Sequence, residues 1–407
     1  MSVADRLAPF GTTVFSRITR LAIEHDAVNL GQGFPDFDGP PDVLRAASDA
    51  LIAGPNQYVR SHGLPALNQA IAEHASPALA GAFPQGIDPD AHVTVTAGCT
   101  EAIAASLLGL LNPGDEVILF EPTYDSYLAS VALAGAKANI VTLRAHEGGF
   151  TFDADELRSA VTERTRAIVV NSPHNPTGKV FSPSELDDIA HVCIEHDLVA
   201  ISDEVYEHLV YDGAPFPRLA NVPGMGARTI SCSSIGKTFS LTGWKIGWAI
   251  APPELSASVR AAHQFTTFCA PGALQAGSAA ALKSPPSFYE SLARDFQRKR
   301  DTLCEALDDI GFRCVVPAAG YFVMADHRAL WDGDDVSLVT HLIENAGVAA
   351  IPPSAFYASS DEGSRFVRFA FCKRDETLRT AIERLRAWRD ARRRTKTKEP
   401  GGNSRRA

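Results

Sequence analysis

Two lysines eight residues apart are the first chemical feature of this chain. In SSIGKTFSLTGWKIGW (233–248), Lys237 and Lys245 are separated by a Thr-Gly turn and bordered by glycines and apolar residues. A lysine desolvated in such a setting, or placed near a second cation, loses affinity for its proton and becomes a nucleophilic amine. One of the pair can then bind an aldehyde covalently while the other meets an anionic group on the same molecule. Taken alone, the segment fits two snorkelling surface lysines equally well. Other polar residues stand where an α/β sheet gathers ligands, outside the carboxyl ends of its strands. Gly98, Tyr124, Asn175, Asp203 and Ser234 each follow an apolar, β-rich run.

Those runs lie between about residues 92 and 252. HVTVTAG (92–98), EVILFEP (116–122), ANIVTL (138–143), AIVVNSP (167–173), LVAISDEV (198–205), TISCSS (229–234) and KIGWAIAP (245–252) read as strands. Helical patterns at 99–111, 125–134, 153–161 and 183–196 fall between them. Near-continuous apolar strands separated by helices predict a mostly parallel (mixed) sheet covered on both faces. The turn LNPGDE (111–116) and the capping-box start SPSELDD (182–188) mark boundaries. Past about residue 285 the pattern changes to a long helix (287–309), strands within GFRCVV, YFVMAD and RFVRFAF, and helices near 336–346 and 374–394. The expected fold class is α/β, with a large domain over 41–285 and a smaller α+β domain over 286–395. Residues 1–40 are expected to pack with the smaller domain, and 396–407 to form a disordered basic tail.

Nine motifs, the lysine segment among them, form a larger pattern. They are VNLGQGFPDFDGP (28–40), NQY (56–58), TAGCTEAI (96–103), FEPTYDSY (120–127), NSPHNPTGKVF (171–181), SDEVYEHLVY (202–211), the lysine segment itself, AIPPSAFY (350–357) and RFVRFAFCKRDETL (365–378). In this order they resemble the class I/II aminotransferases of the fold-type I pyridoxal 5′-phosphate (PLP) family, over nearly the whole chain. The likeness is greatest toward the branch of kynurenine, glutamine and methionine aminotransferases and bacterial N-succinyldiaminopimelate aminotransferases. It implies PLP as cofactor, held on Lys237 as a Schiff base, with Lys237 also acting as acid–base catalyst. By the same resemblance Asp203 meets the pyridinium nitrogen, and Tyr206 (one helical turn on) and Asn175 meet the ring's 3-oxygen. Gly98, Cys99 and Thr100 are expected to offer backbone N–H groups to the phosphate at a helix start, completed by Ser234 and Lys245. Many relatives carry arginine in place of Lys245. Tyr124 is expected to stack on the ring. Arg368, in the apolar strand FVRFAF, would grip the substrate α-carboxylate beside Asn175 and the N–H of Gly33. Tyr58 would cross to the phosphate of a partner subunit, and Phe268 and Cys269 to its pocket, which implies an obligate homodimer with active sites at the interface.

The implied reaction moves the amino group of an L-amino acid to a 2-oxo acid in two half-reactions. Aspartate-type relatives lend a second arginine to a distal carboxylate, but AHQFTTFCAPG (262–272) holds no arginine or lysine. With Phe34 and Tyr124 nearby by motif position, neutral, aromatic or sulfur-containing side chains are expected. N-succinyldiaminopimelate is the alternative substrate, with Arg60 or Lys179 supplying distal cations. A cysteine-conjugate β-lyase or a PLP-dependent oxidase would use the same scaffold for another reaction. A DNA-binding regulator with such a domain as sensor is disfavoured by the roughly thirty residues before VNLGQGF.

Composition narrows the partners. The 407 residues carry a net charge of −10, while residues 391–407 hold seven basic residues and one acidic. The body is thus more acidic than the total and repels nucleic acid. Seven scattered cysteines without a CxxC pair read as reduced thiols of a cytoplasmic protein. No secretion signal and no apolar run of membrane-spanning length, about 18 residues, is visible. The twelve histidines show no ligand spacing, so no metal is expected. LGQGFPD lacks the third glycine of a dinucleotide fingerprint. His174 reads as loop structure, and Trp244 and Trp248 as sheet packing.

Overall fold

Seven strands form the central sheet of the computed structural model, which describes residues 3–11 and 14–396. In chain order they are β1 (Val93–Thr96), β2 (Glu116–Glu121), β3 (Lys137–Thr142), β4 (Thr165–Asn171), β5 (Val199–Asp203), β6 (Thr229–Ser234) and β7 (Gly247–Ile250). Their spatial order is β1-β7-β6-β5-β4-β2-β3. Only β7 runs against the rest, pairing antiparallel with both β1 and β6. The mixed α/β sheet read from the sequence is therefore the one observed.

Both faces of the sheet are buried, which is why its strands read as unbroken apolar runs. Along β2, Val117 and Leu119 join a core with Ala102, Ile103 and Leu107 of helix α1 (Cys99–Leu110). Ile118 and Phe120 point the other way, into a core with Leu186, Ile189 and Val192 of α2 (Pro183–Glu195). The capping box is present. Ser182 Oγ accepts from the Glu185 N–H, and the Glu185 carboxylate accepts from the Ser182 N–H at 2.8 Å.

Beyond these, α3 (Pro286–Ile310) leads into an antiparallel sheet of β8 (Arg313–Val315), β9 (Phe322–Asp326) and β10 (Phe366–Ala370). Leu303, Leu307 and Ile310 bury one stripe of α3, and Gly311 ends it with φ +116°, a conformation that favours glycine. Helices α4 (Asp335–Ala346) and α5 (Asp375–Lys396) complete this part. The N-terminal segment joins it through backbone. Val28–Asn29 pairs in parallel with Val348–Ala349, and Leu30 accepts a hydrogen bond from the Ala370 N–H. Element boundaries fall within about two residues of those expected. The tail expected over 396–407 lies outside the described residues except for Lys396, which ends α5.

Candidate active site

A cavity of about 310 Å³ lies where β1, β4, β5 and β6 end. Because β7 is reversed, its first residue, Gly247, sits opposite both Ser234 and Thr96 at that edge. Lys245 and Ile246 therefore enter the cavity from the amino end of a strand, while its other strand-borne residues arrive at carboxyl ends.

Lys237 lies on a single helical turn, Ile235–Thr238, directly after β6. Burial lowers its affinity for a proton, with Cys372 and Asp203 acting the other way. Its Nζ donates to the Gly33 carbonyl at 3.4 Å and stands 5.7 and 5.6 Å from the ring centres of Tyr206 and Tyr321. Asp203 ends β5 and is buried, which pushes its carboxyl up. Three donors oppose that shift. The Tyr127 hydroxyl donates to Oδ2 at 2.5 Å, and the Val205 N–H and Cys99 Sγ approach Oδ1 at 3.3 and 3.5 Å. Tyr206 follows on a turn after β5.

Asn175 and Arg368 meet on one side of the cavity. Arg368 Nη1 donates to Asn175 Oδ1 at 3.0 Å and Nη2 to the Gly31 carbonyl at 2.8 Å, while its buried Nε has no acceptor. The rings of Phe322, Phe356 and Phe15 surround the guanidinium at 4.1, 5.0 and 5.4 Å. Burial lowers its pKa to about 10. A guanidinium caged by neutral groups, with a donor left over, is a site that asks for an anion. Since Asn175 Oδ1 is engaged, its Nδ2 donors remain for a ligand. Asn171, overlooked in the sequence, fixes this loop by accepting from the Asn175 N–H (2.7 Å) and donating to the Asp203 carbonyl (3.0 Å).

The opposite end of the cavity is a cradle. Gly98 has φ +82°, and a Cβ there would stand 3.1 Å from Lys245 Nζ. A Cβ on Gly247 would strike the Cys99 nitrogen at 2.4 Å. The Gly98 N–H donates to the Thr96 carbonyl at 2.8 Å. Cys99 and Thr100 open α1, so their N–H groups have no carbonyl one turn back. With the Ser234 hydroxyl and Lys245 ammonium, they give the donor set a phosphate needs.

Tyr124 lines the cavity, its hydroxyl pushed up to about 12 by burial, and meets Tyr127 edge-on. Gly33 also lines it. Its carbonyl carries the hydrogen bonds, from Lys237 and from the Tyr321 hydroxyl at 2.6 Å. A Cβ on Gly33 would strike the Phe322 ring at 2.6 Å. Tyr58, Phe268 and Cys269 lie outside this chain's cavity. Tyr58 is 86% exposed, with Phe268 edge-on at 5.3 Å. The two candidate distal cations lie outside this chain's cavity as well. Lys179 Nζ sits 2.7 Å from both Glu185 oxygens in a buried pair, and Arg60 binds Asp90 at 2.7 Å and the Gly63 carbonyl at 2.9 Å. His174 is buried against Thr177, and Trp248 packs in the core. Tyr127, Asn171, Asp125 and Phe15 line the cavity without having been singled out; Tyr127 carried a signal, standing one helical turn after Tyr124. Among the described residues no group of histidine, cysteine or carboxylate side chains could hold a metal, and no helix is long and apolar enough to cross a membrane.

Comparison with known proteins agrees with this geometry. The model of the family "Aminotransferase class I and II" matches residues 25–385. A Mycobacterium tuberculosis protein named probable N-succinyldiaminopimelate aminotransferase DapC is 48% identical over 389 residues, covering 94% of this chain and 97% of its own. A solved N-succinyldiaminopimelate aminotransferase from that organism superposes with a TM-score of 0.91 at 48% identity, over 95% of this chain and all of its own. The methionine aminotransferase of Escherichia coli is 38% identical over 383 residues, 94% of this chain and 97% of its own. The chain belongs to the class I and II aminotransferases.

Proposed function

We propose that this aminotransferase takes the amino group from L-amino acids with neutral, aromatic or sulfur-containing side chains and passes it to a 2-oxo acid, as a cytoplasmic homodimer. PLP is the cofactor of the family, and the cavity fits it: an anion cradle at one end, a buried carboxylate, an amine of lowered basicity, and a tyrosine to cover a flat ring. When bound, PLP supplies an aldehyde that captures amino groups and a ring that takes up the electron pair left when the α-proton departs.

The rest of the chemistry is assigned to this chain's side chains. Cys99, Thr100, Ser234 and Lys245 hold the phosphate. Asp203, whose anionic form is favoured by hydrogen bonds from Tyr127, Cys99 and the Val205 N–H against the effect of burial, would hold a proton on the ring nitrogen. Tyr206 and the Nδ2 of Asn175 would donate to the ring oxygen, and Tyr124 would cover the ring. Arg368 orients the substrate through its α-carboxylate. Lys237 would be the point of covalent attachment, and its free amine would take the proton from the substrate α-carbon. Burial loosens that amine's hold on its proton, and the Gly33 carbonyl, an acceptor only, steadies it without competing for its lone pair. Donor and acceptor use the same cavity in turn.

One observation supports the substrate class. Among the described residues the cations lining the cavity are Lys237, Lys245 and Arg368, all engaged by cofactor or α-carboxylate in this scheme, beside the rings of Phe15, Phe34 and Phe322. The homodimer draws on the exposed apolar side chains Leu51, Ile52, Tyr58, Phe265 and Phe268, of which Tyr58 and Phe268 meet edge-on. The cytoplasm suits seven unpaired cysteines. A second reading, N-succinyldiaminopimelate as substrate, is favoured by the 48% identity to the mycobacterial protein. Comparing kcat/KM for methionine, phenylalanine, glutamine, aspartate and N-succinyldiaminopimelate separates the two. A hundredfold advantage, about 2.7 kcal/mol, for aspartate or the succinylated substrate would overturn the neutral-pocket reading.

A further inference from the structure

Five charged side chains line the cavity: Asp203, Lys237, Lys245, Arg368 and Asp125. The scheme above gives four of them a cofactor or substrate group. Asp125 is left over. It is the first residue of the helix Asp125–Leu133, next to Tyr124, and its half-buried carboxyl lies within the electrostatic reach of Arg368. The only hydrogen bonds it takes from the protein come from the backbone at the start of its own helix, and among the described residues no lysine or arginine pairs with it. An acid at a helix start is ordinarily explained by the helix dipole. Here, however, the acid also stands in the wall of a substrate cavity.

We propose that Asp125 selects the substrate side chain, turning away a second carboxylate and accepting hydrogen bonds from amide or amine N–H groups. The inference rests on the neutral-pocket reading and gives it a residue. With Lys245 on the phosphate and Arg368 on the α-carboxylate, the cavity keeps no cation to offset another negative charge. A distal carboxylate on the substrate would face Asp125 instead, in a partly buried site where like charges change affinity by about tenfold or more. A side-chain amide or amine would meet an acceptor with free lone pairs. The 2-oxo acid acceptor shares the cavity, so the same discrimination applies to it: the preferred acceptor carries one carboxylate, not two.

The test is a binding comparison on the holoenzyme, read from perturbation of the cofactor absorbance. Pentanoate, glutarate and 4-carbamoylbutanoate have the same chain length and end in a methyl, a carboxylate and an amide. Wild type should bind pentanoate and the amide about tenfold or more tightly than glutarate, roughly 1.4 kcal/mol. Asp125→Asn keeps a side chain suited to a helix start, and Asp125→Ser gives a second such replacement. In both, the preference against glutarate should shrink to about threefold or less. A glutarate-to-pentanoate ratio within twofold of wild type in both variants would overturn the proposal. If wild type prefers glutarate and both variants strengthen that preference, the role of Asp125 stands and the neutral-pocket reading falls.

Discussion

Changing Tyr127 to Phe removes one hydroxyl group and leaves the ring in place. In the structure that hydroxyl donates to Asp203 Oδ2 at 2.5 Å, and what remains is a thiol at 3.5 Å and an N–H at 3.3 Å on the other oxygen. Burial already pushes the Asp203 carboxyl up, and the Tyr127 bond is the largest effect against it. A hydrogen bond to a charged group contributes about 1.5–3 kcal/mol, and about 1.4 kcal/mol is one pKa unit. Losing that bond should therefore push the Asp203 carboxyl further up. A smaller anionic fraction then faces the ring nitrogen, and if the whole loss reaches the rate, turnover falls about ten- to a hundredfold. Stopped-flow absorbance with a saturating amino acid measures this, beside Asp203→Asn, which should lose several orders of magnitude. The cofactor-free protein gives a second readout. An acid whose pKa is higher folded than unfolded makes a contribution that is lost as pH rises from its unfolded value, 3.8, through its folded one. Tyr127→Phe should extend that loss to higher pH. A rate within twofold of wild type together with an unchanged pH–stability curve would refute the argument.

Three other outcomes are expected. Lys237→Ala should abolish transamination and leave PLP bound non-covalently, and borohydride reduction of wild type should place the adduct on Lys237; an adduct on Lys245 would reverse the two lysines. Gly98→Ala forces an alanine to φ +82° with its methyl 3.1 Å from Lys245 Nζ, so PLP titration of the apoprotein should show affinity weakened by about tenfold or more. His74 and His208 share a 2.9 Å Nε2–Nε2 contact, and burial holds His208 down at about 4, below its unfolded 6.5. The unfolded chain therefore binds a proton that the fold refuses, and stability is lost as pH falls from 6.5 toward 4. Urea melts should find about 3 kcal/mol less of that loss in His208→Gln; equal slopes would show that the pair does not resist protonation.

Most of the frame was legible because buried parallel strands leave an unmistakable trace in Val, Ile, Leu and Ala, and because the site residues follow those strands directly. Asp203 and Ser234 are the last residues of β5 and β6, and Lys237 comes one helical turn later. What stayed hidden depends on encounters across the chain. Tyr127 acts on a carboxylate 76 positions away, and Tyr321 on a carbonyl 288 positions away. Lys179 looked available because its charge is visible and its partner is not. Glu185 both caps its helix and holds that lysine, so one side chain read correctly as a helix signal also removed a candidate cation. Gly98 shows the same limit at one atom, since an N–H already donating to a nearby carbonyl and an open one are written with the same letter.

The reversal of β7 has a consequence for how the molecule tolerates change. In a fully parallel sheet, a chain leaving β6 would travel the length of the fold before re-entering at the ligand edge. Here it turns back at once, and between Ser234 and Gly247 it delivers both Lys237, the proposed attachment, and Lys245, the cation proposed for the phosphate. Loop closure over so short a span is cheap, so these two functions can assemble together while the distant β3 edge is still forming. The same economy makes the stretch brittle. A residue inserted between Phe239 and Trp244 would shift anchor and cradle against each other, whereas the far end of β7 runs on into the helix Pro253–Thr266 away from the cavity. Length variation should therefore accumulate beyond Ile250 and be absent from the turn between the two lysines.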